Sequence, residues 1–175
     1  MEKELLNDLT KCYPQFKKTS LLYDMIIQAL GCSLLRAKQL ARTHCNLVSF
    51  WIILFTSENY KGGYSKFYKW MLEENYCNDK GYILVNKQKI LDSLKINSIL
   101  RTYREYEDIL DPLARLNPDK YYQVKINADT RGWHFMACYI EDGVFYGSDT
   151  SYRGNPFLLT DKVTPENFVK LDEVC

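Results

Sequence analysis

Two kinds of side chain in this sequence could carry nucleophilic chemistry, an imidazole and a thiol. The chain contains only two histidines, His44 and His134, together with six cysteines. A cysteine becomes a strong nucleophile when a neighbouring imidazole takes its proton, and a carboxylate that accepts a hydrogen bond from the imidazole fixes the ring tautomer. A site of this kind therefore needs a cysteine and a carboxylate beside one of the two histidines.

The clearest local pattern surrounds Asp142-Gly143. Two runs rich in aromatic and β-branched residues flank this pair, which is the preferred centre of a two-residue type I′ hairpin turn. A turn at these residues sets the register, and it makes His134 and Asp149 diagonal neighbours on one face, with Cα atoms roughly 7–8 Å apart. The pattern predicts that Asp149 accepts a hydrogen bond from His134, whereas a register shift of one residue would separate the two.

Cys32 is the predicted nucleophile. Gly31 interrupts the chain before it, and an amphipathic helix is predicted to begin at Ser33, which places the thiol at a helix N-terminus. Unpaired N–H groups and the positive end of the helix macrodipole stabilise a thiolate there. Gln28 lies four residues upstream, and its side-chain amide is predicted to join the Cys32 backbone N–H in an oxyanion hole.

Cys45 is the alternative nucleophile, because it is placed to open the apolar segment 46–56. The adjacent His44 is weak support for it, since neighbouring helical residues do not face each other. The remaining thiols lie within a predicted strand, after a helix or near the chain termini, where packing roles are expected; they are Cys12, Cys77, Cys138 and Cys175.

The elements that must position these residues change type along the chain. A helical period marks the first part, and alternation typical of half-buried strands marks the second. Helices are predicted over 2–12, 33–44, about 65–76 and from an N-cap at Asn86 to about 94. The segment 46–56, apolar on all sides, is interpreted as a buried helix, although its periodicity also permits a strand. We expect one α+β domain over 1–175, with a mostly helical half (1–118) and an antiparallel sheet half (119–175).

Composition narrows the function classes. The 175 residues are 46% hydrophobic and 26% charged, and 23 Lys+Arg against 22 Asp+Glu give a net charge of +1. This balance disfavours a nucleic-acid binder, including one that uses Lys61, Lys66 and Lys69. The cysteines form no CxxC pair and the histidines are few, so no metal or cofactor is expected.

The sequence shows no recognisable targeting signal, and we therefore expect a cytoplasmic protein. The N-terminal residues lack the apolar stretch of a signal peptide, and the most apolar run, 47–55, is about half the length of a spanning helix. We therefore expect reduced thiols and no membrane span.

A cysteine at a helix start, followed by His and Asp on neighbouring strands of a C-terminal sheet, resembles the layout of papain-like cysteine peptidases and their C39-peptidase-like relatives. Three further stretches are similar to an uncharacterised family of spirochaete plasmids and bacterial phages. They are the residues 26–35 around Gly31-Cys32, a middle part (66–68, 75–83 and 88–91), and the strand segments 132–135 and 146–149.

This resemblance implies a papain-like fold in which Cys32 is the nucleophile, His134 the general base, Asp149 the orienting residue and Gln28 the oxyanion donor. It also implies a cysteine peptidase or amidase whose substrate is a peptide or peptidoglycan-type amide. Two departures from the pattern are the short spacing from Gln28 to Cys32 and the absence of an aromatic residue after Cys32.

Folds of this kind include inactive members. The alternative is therefore a catalytically inactive scaffold that binds a protein partner through aromatic side chains. The candidates are Tyr60, Tyr64, Tyr103, Tyr106 and Tyr152.

Overall fold

The computed structural model describes residues 2–129, 132–152 and 154–175. Within them the chain forms an α+β structure with seven α-helices and a six-stranded antiparallel sheet. The helices are α1 (Glu2–Cys12), α2 (Leu21–Leu30), α3 (Leu34–Ala41), α4 (Cys45–Thr56), α5 (Tyr64–Glu73), α6 (Lys87–Ser93) and α7 (Glu107–Leu110). The strands are β1 (Arg101–Tyr103), β2 (Tyr121–Ala128), β3 (Gly132–Glu141), β4 (Val144–Ser148), β5 (Phe157–Leu158) and β6 (Phe168–Glu173), with a 3₁₀ turn at Leu159–Asp161.

Helix α4 is the central element of the helical layer. Its residues are apolar around nearly the whole circumference, and ten of its side chains are buried, including Phe50 and Trp51. A helix that is apolar on all sides must be covered by other elements. Here α1, α5, β2 and β3 pack against it, so the sequence pattern correctly predicted a buried helix.

The sheet has the strand order β1-β6-β2-β3-β4-β5, and every neighbouring pair is antiparallel. The β3–β4 hairpin turns at Asp142-Gly143, where both residues have positive φ, as a type I′ turn requires. Glu141 pairs with Val144, which confirms the predicted register.

Alternating residues of the strands contribute to two hydrophobic cores. Tyr121 and Tyr139 pack with the helical layer, whereas Tyr122 and Cys138 pack on the other side with residues near α7 and the 3₁₀ turn. Both faces of the sheet are therefore covered. Side chains at the strand ends are the ones that can reach a shared cleft.

Local signals located the ends of the five predicted helices with an accuracy of a few residues, whereas α2 and α7 were not predicted. Asn86 caps α6 by accepting a hydrogen bond from Gln88 N, as predicted. Strand β1 lies within the part of the sequence expected to be mostly helical, and it pairs with β6 at the sheet edge. Among the described residues, no helix combines the length and apolar character needed to cross a bilayer.

Candidate active site

The hairpin brings His134 and Asp149 into direct contact. His134 lies near the start of β3, and Asp149 follows the last residue of β4. The Nε2–H of His134 donates to Oδ1 of Asp149 at 2.9 Å. Both side chains are buried, at 4% and 1% exposure. The predicted juxtaposition is therefore present, and burial shields this charged hydrogen bond from solvent.

Asp149 is held as an acceptor by several further donors. The backbone N–H and the hydroxyl of Ser151 each donate to Oδ1 at 2.9 Å, and the Lys162 ammonium lies 3.3 Å from Oδ2. Burial opposes ionisation, but the hydrogen bond and charge of His134, followed by the charge of Lys162, hold the pKa of Asp149 well below its usual range. A carboxylate in this state can orient an imidazole and stabilise its protonated form.

The thiol that meets His134 belongs to Cys45. Burial alone would lower the pKa of His134, but its interactions with Asp149 and then with Cys45 raise it to about 9. Because Nε2 is occupied by Asp149, Nδ1 is the ring nitrogen left for the sulfur. The thiol and the imidazole thus line one cleft, and the carboxylate holds the imidazole from behind.

Cys45 is the first residue of α4, so its thiol lies at the N-terminus of the most buried helix. His44 precedes it at the N-cap position without making a side-chain cap hydrogen bond. The first N–H groups of an α-helix have no acceptor within the helix, and they point toward the same end as the thiol. A developing negative charge on the sulfur or on a bound carbonyl would be stabilised there.

The ring of His44 is directed away from this site into the helical layer. Its Nδ1 lies 2.6 Å from the Tyr64 hydroxyl, and its Nε2 lies 3.1 Å from the Asp79 carbonyl oxygen. Burial lowers the pKa of His44 to about 4, against a smaller raising effect from Asp79. His44 is therefore a neutral structural residue, although it neighbours the reactive cysteine in sequence.

The expectation that Cys32 would meet His134 is corrected, since the residue in that place is Cys45. The N-cap of α3 is Ser33, whose hydroxyl accepts from Arg36 N, so Cys32 lies outside that helix, between α2 and α3. Its side chain packs against the helical core and interacts with Tyr68. It lies outside the lining of the cleft that contains Cys45 and His134.

Gln28 does not reach the thiol and imidazole either. It is exposed on α2, whose buried face is formed by Leu22, Tyr23 and Ile26, so its amide lies outside the cleft lining. The glutamine that does line the cleft is Gln15, which is 2% exposed.

Gln15 joins the two parts of the site. Its Nε2 donates to the carbonyl oxygens of Ala41 and Arg42 at 2.9 and 3.3 Å, and its Oε1 accepts from the Thr150 hydroxyl at 2.8 Å. The segment that leads into α4 is thereby tied to the loop that carries Asp149. Gln15 lies between α1 and α2 in irregular structure, where no periodicity could have identified it.

A second polar network supports the first turn of α4. The Gln123 amide nitrogen donates to the Asn46 carbonyl at 3.0 Å, to Asn46 Oδ1 at 3.2 Å and to the Ser49 hydroxyl at 2.7 Å. The buried Lys87 ammonium donates to Oε1 of the same Gln123. Asn46, whose Oδ1 is turned toward Gln123, also lines the cleft.

A cavity of about 260 Å³ lies in front of the thiol and the imidazole. Its lining combines polar, cationic and aromatic side chains from both halves of the chain. They are Gln15, Arg42, Thr43, Cys45, Asn46, Tyr82, Ile83, Lys125, Trp133, His134 and Phe135.

The tyrosines considered for partner binding differ in their exposure. Tyr64 is fully buried among aromatic side chains, so it cannot contact a partner, whereas Tyr152 is exposed. Among the described residues, no group of three or more His, Cys, Asp or Glu side chains is arranged to hold a metal ion.

Comparison with known proteins yields no relative from which a role could be transferred. No protein-family model matches the chain, and neither the curated proteins nor the solved structures contain a significant match.

Proposed function

We propose that the protein is a cysteine hydrolase that cleaves an amide bond, with Cys45 as nucleophile, His134 as general base and acid, and Asp149 as the orienting carboxylate. The observation that carries this proposal is that His134, whose ring is held by the Asp149 carboxylate at 2.9 Å, lines the same cleft as the Cys45 thiol and interacts with it electrostatically. An isolated buried histidine needs only one partner, whereas nucleophilic catalysis needs this chain of three.

In the acylation step, His134 takes the thiol proton and the Cys45 sulfur attacks the carbonyl carbon of the substrate. A carbon–sulfur bond forms, and the carbonyl electrons move onto oxygen. The tetrahedral intermediate then collapses as the carbon–nitrogen bond breaks, and the His134 imidazolium gives its proton to the leaving amine. The product of this step is a thioester on Cys45.

Deacylation reverses the roles of the same groups. His134 takes a proton from water, the resulting oxygen nucleophile attacks the thioester, and the carbon–sulfur bond breaks. The thiol recovers a proton and a carboxylic acid is released, so every atom of the water molecule is accounted for. Asp149 stays ionised throughout and stabilises the imidazolium in both steps.

The oxyanion would be stabilised by the backbone N–H groups at the start of α4 together with a side-chain amide. Asn46 lines the cleft beside Cys45, and its amide orientation is set by Gln123. The Gln15 amide also lines the cleft, but its N–H groups donate to the Ala41 and Arg42 carbonyl oxygens, so its part is to hold the segment before α4. Preorganised donors of this kind contribute about 3–4 kcal/mol each to transition-state stabilisation.

We further propose that the arrangement is papain-like. In support, the nucleophile begins a buried helix, while the imidazole and the carboxylate lie on an antiparallel sheet that packs against this helix. The substrate would be a peptide or a peptidoglycan-type amide. The cleft opens between the two layers and has aromatic walls that suit a peptide chain.

Acyl-enzyme trapping tests this proposal. The protein is incubated with p-nitrophenyl acetate, acyl transfer is followed as a burst of nitrophenolate, and the modified residue is identified by mass spectrometry. In parallel, a synthetic peptide library is searched for new termini. We expect acetylation at Cys45 and peptide cleavage that are lost in Cys45→Ala and His134→Ala and kept in Cys32→Ser. Equal burst and cleavage in Cys45→Ala would overturn the proposal.

A further inference from the structure

The charged side chains that line the cleft in front of Cys45 are all cationic. They are Arg42, Lys125 and His134, and no Asp or Glu lines this cavity among the residues that the structure describes. The protein as a whole carries a net charge of only +1. The positive charge at the cleft is therefore a local feature and does not reflect a generally basic protein.

Arg42 and Lys125 also make no direct ion pair within 4 Å in the described part of the chain. The nearby Lys170, in contrast, is paired with Asp172 at 2.9 Å. A cation that faces a cleft without a partner attracts an anionic ligand, whereas a paired cation is already neutralised.

The surroundings of Lys125 strengthen this effect. Its ammonium lies 4.4 Å from the ring centroid of Trp133 and 5.6 Å from that of Phe135, so the aromatic rings hold it at the cleft wall. Partial burial and then the charge of Lys170 lower the pKa of Lys125 against a smaller raising effect from Asp172, so an added negative charge nearby would be favourable. Trp133 is 57% exposed and Tyr82 48% exposed, so the walls also present flat apolar surface.

The cavity on the other side of His134 has acidic residues in its lining, in contrast to the cleft beside Cys45. A second cavity reaches the imidazole from the Asp149 side, and its lining contains Asp129 and Glu166 as well as Lys162. Anionic groups would be repelled there and attracted on the Cys45 side. The imidazole thus separates an acidic cavity from a cationic cleft.

We infer that the cleft beside Cys45 binds a carboxylate of the substrate, with Arg42 and Lys125 as the groups that recognise it. The preferred substrate is then an acidic peptide or a related amide whose negative charge lies next to the bond that is cleaved. This inference rests on the proposed function, because it assigns the specificity of the same site.

Charged thiol reagents test the inference without a known substrate. The rate of Cys45 modification is measured with an anionic (sulfonatoethyl), a neutral (methyl) and a cationic (trimethylammonioethyl) methanethiosulfonate. Each charged-reagent rate is divided by the neutral-reagent rate of the same variant. We expect the anionic-to-cationic ratio at Cys45 to exceed that at the exposed Cys12 roughly tenfold or more, and to fall with added salt.

Substitutions then identify the residues that cause the preference of Cys45 for the anionic reagent. Lys125→Gln and Arg42→Gln should each lower the ratio, and the double variant should bring it close to that of Cys12. The exposed Lys66→Gln on α5, which lies outside the cleft lining, is the matched control with an unchanged ratio. Because Arg42 is exposed, Arg42→Gln keeps the test decisive if Lys125 variants fail to fold.

Peptide substrates test whether the same charge preference holds during cleavage. Substrates with Glu or Asp beside the cleaved bond should be preferred over their Gln or Asn counterparts by roughly tenfold in kcat/KM, and the double variant should lose this preference. Rapid reaction of Cys45 with the neutral reagent but no charge preference would overturn this inference and leave the proposed function standing. Slow reaction with all three reagents would overturn both.

Discussion

The His134 Nε2–H donates to Asp149 Oδ1 at 2.9 Å across a hairpin whose turn is only two residues long. Strand pairing in β3–β4 fixes this distance, because residues that are diagonal neighbours on one face stay within reach of each other. The ring is thereby anchored on one nitrogen, and its other nitrogen is left for Cys45. The protonation behaviour of this ring follows from the same contacts.

The pKa values of the two histidines should differ strongly from each other and from the pKa of a free imidazole. His134 is expected to have a pKa of about 9, because Asp149 and Cys45 outweigh burial, and His44 a pKa of about 4, because burial dominates. NMR of the imidazole signals against pH measures both values on one sample. Replacement of Asp149 by Asn should lower the His134 pKa, and a wild-type His134 that titrates near 6.5 would contradict the account.

Asp149→Asn should destabilise the folded state in a pH-dependent way. The lowered pKa of Asp149 means that its contribution is present above its unfolded pKa, about 3.9, and is lost as the pH falls. The raised pKa of His134 means that its contribution is complete below 6.5 and is lost as the pH rises through about 9.

The contribution of the pair should therefore be largest between about pH 4 and pH 6.5. Breaking a buried pair by removing one partner's charge costs about 3–5 kcal/mol. Urea unfolding at pH 6 and at pH 9.5 should show a larger loss of unfolding free energy at pH 6. A loss of equal size at both pH values would show that the ionised pair does not contribute.

Gly81→Ala should destabilise the protein more than Gly31→Ala does. Both glycines have positive φ, but a Cβ at Gly81 would lie 2.7 Å from Cδ2 of His44, whereas nothing lies within 4 Å of a Cβ at Gly31. The Gly31 variant therefore measures the conformational cost alone, about 1–2 kcal/mol, and overpacking at Gly81 adds about 1–3 kcal/mol.

Because His44 immediately precedes Cys45, Gly81→Ala should also slow thiol labelling at Cys45, and Gly31→Ala should not. Urea unfolding and mass-spectrometric labelling rates compare the two variants directly. Equal effects on stability would mean that the contact between Gly81 and His44 carries no cost.

Lys87→Met should change how stability depends on pH. Burial, which outweighs the favourable charge of Asp172, lowers the pKa of Lys87 to about 7 from an unfolded value of 10.5. The folded protein thus resists protonation of this group, and its penalty grows as the pH falls from 10.5 to 7.

The stability of Lys87→Met relative to wild type should therefore improve as the pH is lowered from 10 to 7. A constant cost of about 1–3 kcal/mol for the unpaired Gln123 oxygen is superimposed on this change. Lys89→Met, an exposed lysine on the same helix, is the control and should show no such trend. A pH-independent difference for Lys87→Met would contradict the assignment of a buried, shifted ammonium.

Sequence reasoning succeeded where the determining contacts are local. The turn at Asp142-Gly143 set a register that brought His134 to Asp149, and an unbroken apolar run identified α4 as buried. The choice between Cys32 and Cys45 depended instead on which helix packs against β3, a contact between residues far apart in sequence. Ser33 then decided the start of α3 and left Cys32 outside it.

Gln15 and Lys87 illustrate what no local pattern reveals. Gln15 lies in an irregular segment, and its role arises from carbonyl oxygens of α3 and its C-cap and from the loop after β4. Lys87 begins an ordinary capped helix, and only the packing of that helix onto the sheet buries its ammonium against Gln123. Both depend on tertiary contacts that periodicity and capping rules do not encode.

The rate at which iodoacetamide labels each cysteine at pH 6 tests the central claim most directly. Cys45 is only 8% exposed and Cys12 is exposed, so accessibility alone would make Cys12 the faster thiol. An imidazolium partner keeps a cysteine reactive below neutral pH. We expect Cys45 to be labelled faster than Cys12 and Cys32 in the folded wild type.

In His134→Ala the labelling rate of Cys45 should fall at least tenfold, and the labelling rate of the exposed Cys12, which reports active reagent, should not change. His134→Gln should give the same result if the alanine variant unfolds. Labelling of Cys45 that is slower than that of Cys12 in wild type, or that does not change when His134 is replaced in a folded protein, would contradict the proposed thiol–imidazole pair.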